Sequence, residues 1–274
     1  MNYRVSLKGL DANEVLHPDD KSIIEKLNKK VGFKSFVDKT VSNIMERYAS
    51  IEYSANGINV TPTSSPSIYK LLVESCRILD VKEVPACSLD WQYVISSFSV
   101  GEKDKRIVLL SGTIDLLTPD ELMFVIGHEL GHMKCGHQTY HMLTECLYMP
   151  IQSIPDWKLW VSFVKLPLLN WYRKSDFTAD RMGLLCCQNI DSALRTMVKM
   201  AGLPKKLYNQ VNIESFTKQA EDFGTRNSNV LDDAIEYLSI NSATMPWIVQ
   251  RASELLKWYH SGEYQKIINK YKIK

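Results

Sequence analysis

The chain lacks three features that would place it in common protein classes: a Cys-x-x-Cys pair, a long apolar run and a block of like charges. Without a Cys-x-x-Cys pair, neither a cysteine-based structural zinc site nor thioredoxin-like chemistry is indicated. The six cysteines are therefore interpreted as reduced thiols, buried as small hydrophobic side chains. Lysine and arginine number 33 against 31 aspartate and glutamate residues. This balance does not predict contact with nucleic acid.

No stretch of the sequence approaches the roughly 20 apolar residues that a transmembrane helix requires. The N-terminal sequence MNYRVSLKGLDANEVLHPDD also lacks the apolar core of a signal peptide, so we expect a cytoplasmic protein. Residues 157–171 are rich in aromatic and apolar side chains, and we expect them to pack in the core. Peripheral membrane contact through this stretch is the alternative. The region is interrupted by Pro150, Pro155, Asp156, Lys158, Lys165 and Pro167.

The pentapeptide HELGH, residues 128–132, places two imidazoles and a carboxylate where a zinc hydrolase needs them. On a helix, His128 and His132 lie one turn apart on the same face and can bind one metal ion. Zinc lowers the pKa of a bound water from about 16 to about 7, and the Glu129 carboxylate can accept the proton that this water loses. The motif predicts zinc-dependent hydrolysis of peptide bonds.

The residues before the motif predict that a helix begins where the motif needs one. Thr118 and Glu121 have the spacing of a capping box, and Pro119 suits the first helical position. Apolar residues then surround the motif at helical spacings, so we expect this helix to be buried on most sides. A buried helix that carries two hydrogen-bonded histidines without a metal is the alternative.

A catalytic zinc site needs a third protein ligand and one open position. The strongest candidates lie in the segment RKSDFTADRMGLL, where Asp176 and Asp180 are four residues apart and share a helix face. This spacing suits one as a ligand and the other as the acceptor that orients a ligand histidine. In the alternative interpretation, both are charges on a solvated helix face.

Four further histidines are not expected to bind the metal. On a continuous helix His137 and His141 would face away from it, and Gly136 is a candidate helix end that would leave His137 near the helix C-terminus. His17 and His260 lie in polar surroundings and are predicted to be ordinary surface residues.

The sequence resembles the HtpX-like and CAAX-prenyl-protease group of gluzincin metallopeptidases, from about Val84 to Tyr264. The resemblance is carried by SGTIDLLTPDELMFVIGHELGHMKCGH, by LLNWYRKSDFTADRMGLLCCQN and, more weakly, by MPWIVQRASELLKWYHSGEY. It implies a soluble member of the group that binds one Zn²⁺ per chain through the two motif histidines and an acidic residue aligned with Asp176. Relatives have Glu at that position, and many have His where this chain has Met245.

The sequence predicts an α+β, predominantly helical fold, with a zincin-like catalytic domain and a small antiparallel β-hairpin or sheet beside the motif helix. We expect one metallopeptidase domain over residues 1–274, made of an N-terminal helical layer (1–80), a zincin core (81–203) and a C-terminal helical region (204–274). Alternating residues predict a hairpin from Trp91 to Leu110, with its loop at Gly101 to Lys105. By analogy with zincins, its edge binds a substrate strand.

Together these observations predict a zinc metalloendopeptidase. His128, His132 and Asp176 are the expected metal ligands, Glu129 the general base, and Asp180 the residue that orients a ligand histidine. Asp at the third ligand position also motivates an alternative, a catalytically silent zincin scaffold that binds peptides or a partner protein. A further alternative is an enzyme inhibited by its own terminal segments. The oligomeric state is not predicted, and no ranking follows for the candidate oxyanion-stabilising residues Tyr172, Arg173 and His260.

Overall fold

The computed structural model describes residues 4–40, 45–147, 157–210, 212–225 and 247–272. Part of the predicted C-terminal helical region, residues 226–246 with Met245, lies outside these residues. The α-helices of the described part are α1 (Pro18–Asn28), α2 (Phe33–Thr40), α3 (Glu46–Ala55), α4 (Pro66–Ile78), α5 (Ser111–Leu116), α6 (Pro119–Cys135), α7 (His137–Cys146), α8 (Trp157–Cys187), α9 (Ile190–Met200), α10 (Ile213–Gly224), α11 (Ile248–His260) and α12 (Glu263–Lys272). The strands are β1 (Ile58–Asn59), β2 (Ala86–Asp90), β3 (Ser97–Val100) and β4 (Arg106–Leu110).

The motif helix α6 begins and ends where the sequence predicts. The backbone N–H of Glu121 donates to the Thr118 hydroxyl at 3.5 Å, and the Thr118 N–H donates to the Glu121 carboxylate at 2.7 Å, which completes the capping box. Gly136 ends the helix with φ +70°, a left-handed conformation that glycine adopts without strain. Residues 121–133 are all buried, so α6 is a central helix of the fold.

The strands form a mixed sheet in the order β1-β2-β4-β3 within the described residues. The predicted hairpin is present: β3 and β4 are antiparallel, with Phe98 opposite Val108. Strand β2 runs parallel to β4, which the hairpin pattern alone did not indicate. Strand β3 lies at the sheet edge and contacts α6. The α+β, predominantly helical fold is confirmed.

Helices α6 and α8 approach each other closely because glycines face the contact. A Cβ atom on Gly127 would lie 2.3 Å from Cys186 Cβ, and one on Gly131 would lie 2.7 Å from Met182 Cβ. Neither distance is compatible with a side chain, so these two positions of α6 require glycine. The close approach brings the middle of α8 within reach of the motif histidines.

The aromatic-rich stretch 157–171 and the helix that carries Asp176 and Asp180 are one continuous helix, α8, which runs through Pro167. A proline inside a helix removes one backbone hydrogen bond. In the stretch 157–171, Leu168 and Trp171 are buried, whereas Phe163 is 58% exposed. The stretch is therefore only partly a core element, and none of the described helices is long and apolar enough to cross a membrane.

Two hydrophobic clusters form the core. The larger one packs around α6, the sheet and the C-terminal helices, and the smaller one joins α1, α2, α7 and the first half of α8 through residues such as Leu27, Phe33 and Trp171. All six cysteines are free thiols, and all but Cys135 are buried, as expected. The end of the predicted C-terminal helical region forms two helices, because Gly262 (φ +82°) turns the chain between α11 and α12. The division into one domain with three regions stays a prediction.

Candidate metal centre

Three side chains from α6 and α8 converge on one buried point. His128 Nε2 lies 3.0 Å from His132 Nε2, and Asp176 Oδ1 lies 3.4 Å from His132 Nε2 and 3.9 Å from His128 Nε2. Ligand atoms about 2.0–2.1 Å from a tetrahedral zinc ion are roughly 3.3–3.4 Å apart. The spacing of the three atoms fits a divalent metal, and the aspartate reaches the histidine pair although it is one methylene shorter than glutamate. His128, His132 and Asp176 could therefore form a metal site.

Asp180 lies one turn beyond Asp176 and contacts the first histidine from behind. Its Oδ1 lies 2.9 Å from His128 Nδ1, and its side chain is fully buried. Burial lowers the pKa of His128, but the hydrogen bond with Asp180 and the negative charges of Asp180 and Asp176 together outweigh burial, and the net pKa is raised. A carboxylate in such a position can fix the ring orientation and tautomer of a histidine that binds a metal.

Arg251 of α11 is a part of the site that the sequence analysis missed. Its Nη2 donates to Asp180 Oδ1 at 2.6 Å and its Nε donates to Asp180 Oδ2 at 2.8 Å, a two-pronged ion pair. Its Nη1 also lies 3.5 Å from Asp176 Oδ2. The available signal was modest: Arg251 shares a helix face with the apolar Leu255, a position where a charge is unusual unless it is paired.

Glu129 lies between the sheet edge and the histidine pair. Its Oε1 accepts a hydrogen bond from the Ser97 hydroxyl of β3 at 2.6 Å. Its Oε2 is buried and has no hydrogen-bond partner among the described residues. Burial raises the pKa of this carboxyl group. A buried carboxylate oxygen without a partner, beside two histidines and an aspartate, fits a proton acceptor next to a bound metal.

The expectation that His137 and His141 face away from the metal centre was wrong, although the group of described side chains that could hold a metal includes neither of them. Because Gly136 turns the chain, α7 folds back toward α8 instead of continuing α6, and both rings pack against His132 with centroids 5.3 and 4.6 Å away. His137 Nδ1 lies 3.0 Å from His132 Nδ1. The two histidines do not continue the helix of the motif, because α6 ends at Gly136.

His17 is also not a surface residue, whereas His260 is exposed as predicted. His17 caps the start of α1, and its Nε2 lies 3.4 Å from the Glu254 carboxylate of α11. Among the candidate oxyanion-stabilising residues, Tyr172 lines the cavity at the metal centre, whereas Arg173 and His260 do not.

The cavity at the metal centre is small, about 70 Å³, and is walled by Ser97, Phe98, Val125 and Tyr172 beside the proposed ligands. A larger groove of about 1120 Å³ adjoins it and shares Ser96 and Met200 with it. Its other walls are mostly apolar and come from the segment before β3, the end of α9 and the start of α11.

A profile of peptidase family M48 matches residues 92–259, which include every residue of the converging site. The Arabidopsis thaliana protein "Plastoglobule-localized metallopeptidase 48, chloroplastic" is 27% identical over 266 residues, which is 96% of this chain and 77% of that protein. "Protease HtpX homolog 2" of Saccharolobus solfataricus is 29% identical over 116 residues, 40% of this chain and 35% of that protein. The Methanosarcina acetivorans protein of the same name is 23% identical over 175 residues, 53% of this chain and 58% of that protein. No solved structure matches the chain.

Proposed function

Since the chain belongs to peptidase family M48 and is thus a metalloprotease, we propose that it is a zinc-dependent endopeptidase with Glu129 as the general base. The convergence of His128, His132 and Asp176 beside the unpartnered Glu129 oxygen supports this proposal most directly. Zinc, when bound by those three residues, would supply the Lewis acidity that polarises a peptide carbonyl and acidifies water. In this proposal His128, His132 and Asp176 are the metal ligands and Glu129 is the general base.

Glu129 performs the proton transfers. Its free Oε2 takes a proton from the attacking water as the water oxygen bonds to the scissile carbonyl carbon, and returns that proton to the leaving amine as the C–N bond breaks. The Ser97 hydroxyl holds Oε1, so the acceptor oxygen keeps its direction. The raised pKa strengthens the carboxylate as a base. Asp180 and Arg251 hold the ring of His128 in place.

The outer edge of β3, which pairs with no strand among the described residues, is the proposed binding site for the substrate backbone, because an extended peptide can add to such an edge through main-chain hydrogen bonds. The adjoining groove would then take apolar side chains of the peptide. Val94, 52% exposed at the groove, gives a test: Val94→Asp is expected to lower kcat/KM for peptides with apolar side chains about tenfold. Val31→Asp is the control, since Val31 is 98% exposed and lines neither cavity.

The decisive experiment combines metal content with cleavage. Elemental analysis of the wild type is expected to give about one zinc per chain, and Asp176→Ala is expected to lose both zinc and cleavage of casein. Asp191→Ala, an exposed aspartate in the first turn of α9, is the matched control and keeps both. An internally quenched peptide with both ends blocked distinguishes endopeptidase from exopeptidase action.

Glu129→Gln separates the peptidase from a silent scaffold. The variant is expected to keep zinc and to lose cleavage at least about a hundredfold, since general-base catalysis contributes about 10²–10⁴-fold. Glu214→Gln, an exposed glutamate of α10, serves as the control. Zinc binding without any cleavage in the wild type would instead favour the scaffold that binds peptides or a partner protein.

Peripheral membrane contact is a second, separate proposal for the start of α8. Leu159, Phe163 and Leu166 are 55%, 58% and 38% exposed and recur at helical spacing on one face. Such a face can lie in a membrane interface. Co-sedimentation with anionic vesicles tests it: wild type is expected to bind more than Phe163→Ser, and equal sedimentation of the two would refute the contact.

A further inference from the structure

The two proposed histidine ligands are supported in different ways. His128 contacts a carboxylate directly, through Asp180. His132 contacts a second histidine, His137, with 3.0 Å between the two Nδ1 atoms. His137 Nε2 in turn lies 3.2 Å from Asp20 Oδ2. The second ligand is thus joined to a carboxylate by one intervening imidazole.

Asp20 is held firmly at the end of this chain of contacts. It is 2% exposed, and it accepts hydrogen bonds from the Trp171 indole N–H at 2.8 Å and from the Thr178 hydroxyl at 2.6 Å. Burial raises the pKa of the Asp20 carboxyl group, but its contacts with His137, Thr178 and Trp171 outweigh burial and hold the pKa below its usual value. Asp20 therefore acts as an acceptor only.

When His132 Nε2 binds the metal, the hydrogen bonds from His132 through His137 to Asp20 can run in only one direction. A neutral His132 that uses Nε2 for the metal carries its proton on Nδ1 and must donate it. His137 Nδ1 must then accept, so the His137 proton lies on Nε2 and is donated to Asp20. Each proton points away from the metal site and toward the carboxylate.

From this geometry we infer that Asp20, acting through His137, fixes the tautomer and the ring orientation of His132 as a metal ligand. Both are positioning residues, and the inference rests on the zinc site proposed above. Asp20 belongs to α1 and lies outside residues 92–259, the part that matches the family profile. The N-terminal helical layer would thus contribute to the metal centre itself.

Asp20→Asn is the sharpest perturbation, because it preserves the shape of the side chain and replaces one acceptor oxygen with an N–H₂ donor. The Trp171 indole only donates, so the amide oxygen must face it, which turns the amide N–H₂ group toward His137 Nε2. His137 would then carry its proton on Nδ1 and donate it to His132. His132 would carry its own proton on Nε2, where the metal must bind, as in a catalytic triad with the wrong tautomer.

The measurements are the zinc dissociation constant, by competition with a chromophoric chelator, and the visible absorption of the cobalt(II)-loaded protein. Asp20→Asn is expected to weaken zinc binding about 10–100-fold, the range for residues that orient metal ligands, and to change the cobalt spectrum. Thr178→Val, which removes one hydrogen bond to Asp20 but leaves the tautomers unchanged, is expected to stay within about threefold of wild type.

Variants of His137 keep the inference testable even if Asp20→Asn does not fold. His137→Phe removes the acceptor for His132 and is expected to weaken zinc binding as Asp20→Asn does. His137→Asn places an amide oxygen near the former Nδ1 position and is expected to recover most of the lost affinity. In that background Asp20→Asn should add less than about twofold, since the chain to Asp20 is already cut and coupled residues are not additive.

The inference would be overturned if Asp20→Asn kept the zinc affinity and the cobalt spectrum of the wild type. It would also be overturned if Asp20→Asn lost as much zinc affinity in the His137→Asn background as it loses alone, because that would indicate a general structural effect. Zinc binding by the wild type without peptide cleavage would refute the proposed peptidase activity alone. Cleavage by the wild type with an unchanged zinc constant in Asp20→Asn would refute the role of Asp20 alone. A wild type that binds no zinc would refute both.

Discussion

Arg251→Met should destabilise the protein much more than the same replacement of an exposed arginine does. The Arg251 side chain is buried and forms a two-pronged ion pair with Asp180. Removing one partner of a buried pair leaves the other charge without compensation, which costs about 3–5 kcal/mol. Asp176, whose Oδ2 lies 3.5 Å from the guanidinium, would lose a second favourable contact.

The assay is urea unfolding of chelator-treated protein, so that bound metal does not contribute to the free energy of unfolding. Arg251→Lys keeps the charge but not the planar fork and is expected to fall between wild type and Arg251→Met. Arg195→Met, at an exposed position of α9, is the matched control and should change the free energy by less than about 0.5 kcal/mol. If Arg251→Met cost no more than this control, the ion pair would not stabilise the fold as argued.

Two other contacts between helices can be tested, one that joins the start of α1 to α11 and one that joins α6 to α8. The hydrogen bond from His17, together with Lys257, lowers the Glu254 pKa to about 2 although burial opposes this. Because the pKa of Glu254 is lower in the folded state than the unfolded value of about 4.5, its ionised side chain stabilises the fold at pH above about 4.5. The cost of Glu254→Gln, about 1–3 kcal/mol, should therefore vanish as pH falls from about 4.5 to 2. A difference in unfolding free energy that does not change with pH would contradict this. Gly127→Ala should force α6 and α8 apart, lower the free energy of unfolding by about 1–3 kcal/mol and weaken zinc binding. The double variant Gly127→Ala with Cys186→Gly should recover stability and zinc binding. A Gly127→Ala variant that behaves like wild type would show that the helix contact tolerates a Cβ.

The parts of the site that the sequence predicts are those set by local spacing. Residues four apart on a helix share a face whatever surrounds them, so His128 with His132, and Asp176 with Asp180, could be paired from the chain alone. The bounds of α6 follow equally from local capping chemistry at Thr118. The hairpin follows from alternation over a short stretch.

The parts that the sequence does not predict depend on the direction of the chain after a turn and on contacts between distant residues. The left-handed residue Gly136 decides whether His137 faces the metal centre, and its φ angle sets where α7 goes. Arg251 and Asp20 reach the site from 71 residues beyond Asp180 and from an N-terminal helix, respectively. No periodic pattern marks such residues, because each is a single charged position on a helix whose packing partner is unknown beforehand.

The charges of the buried cluster favour the binding of a divalent cation. Asp176, Asp180 and Glu129 are carboxylates, and Arg251 is the cation that pairs with two of them. With all three ionised, the cluster is two positive charges short of neutrality, and buried charges are costly unless they are paired. One divalent cation would supply that charge at the point where His128, His132 and Asp176 converge. Zinc at a hundred times its dissociation constant should therefore raise the free energy of unfolding by about 2.7 kcal/mol. Urea unfolding with zinc and with chelator measures this difference, and an equal free energy in both would mean that the folded cluster does not bind the ion.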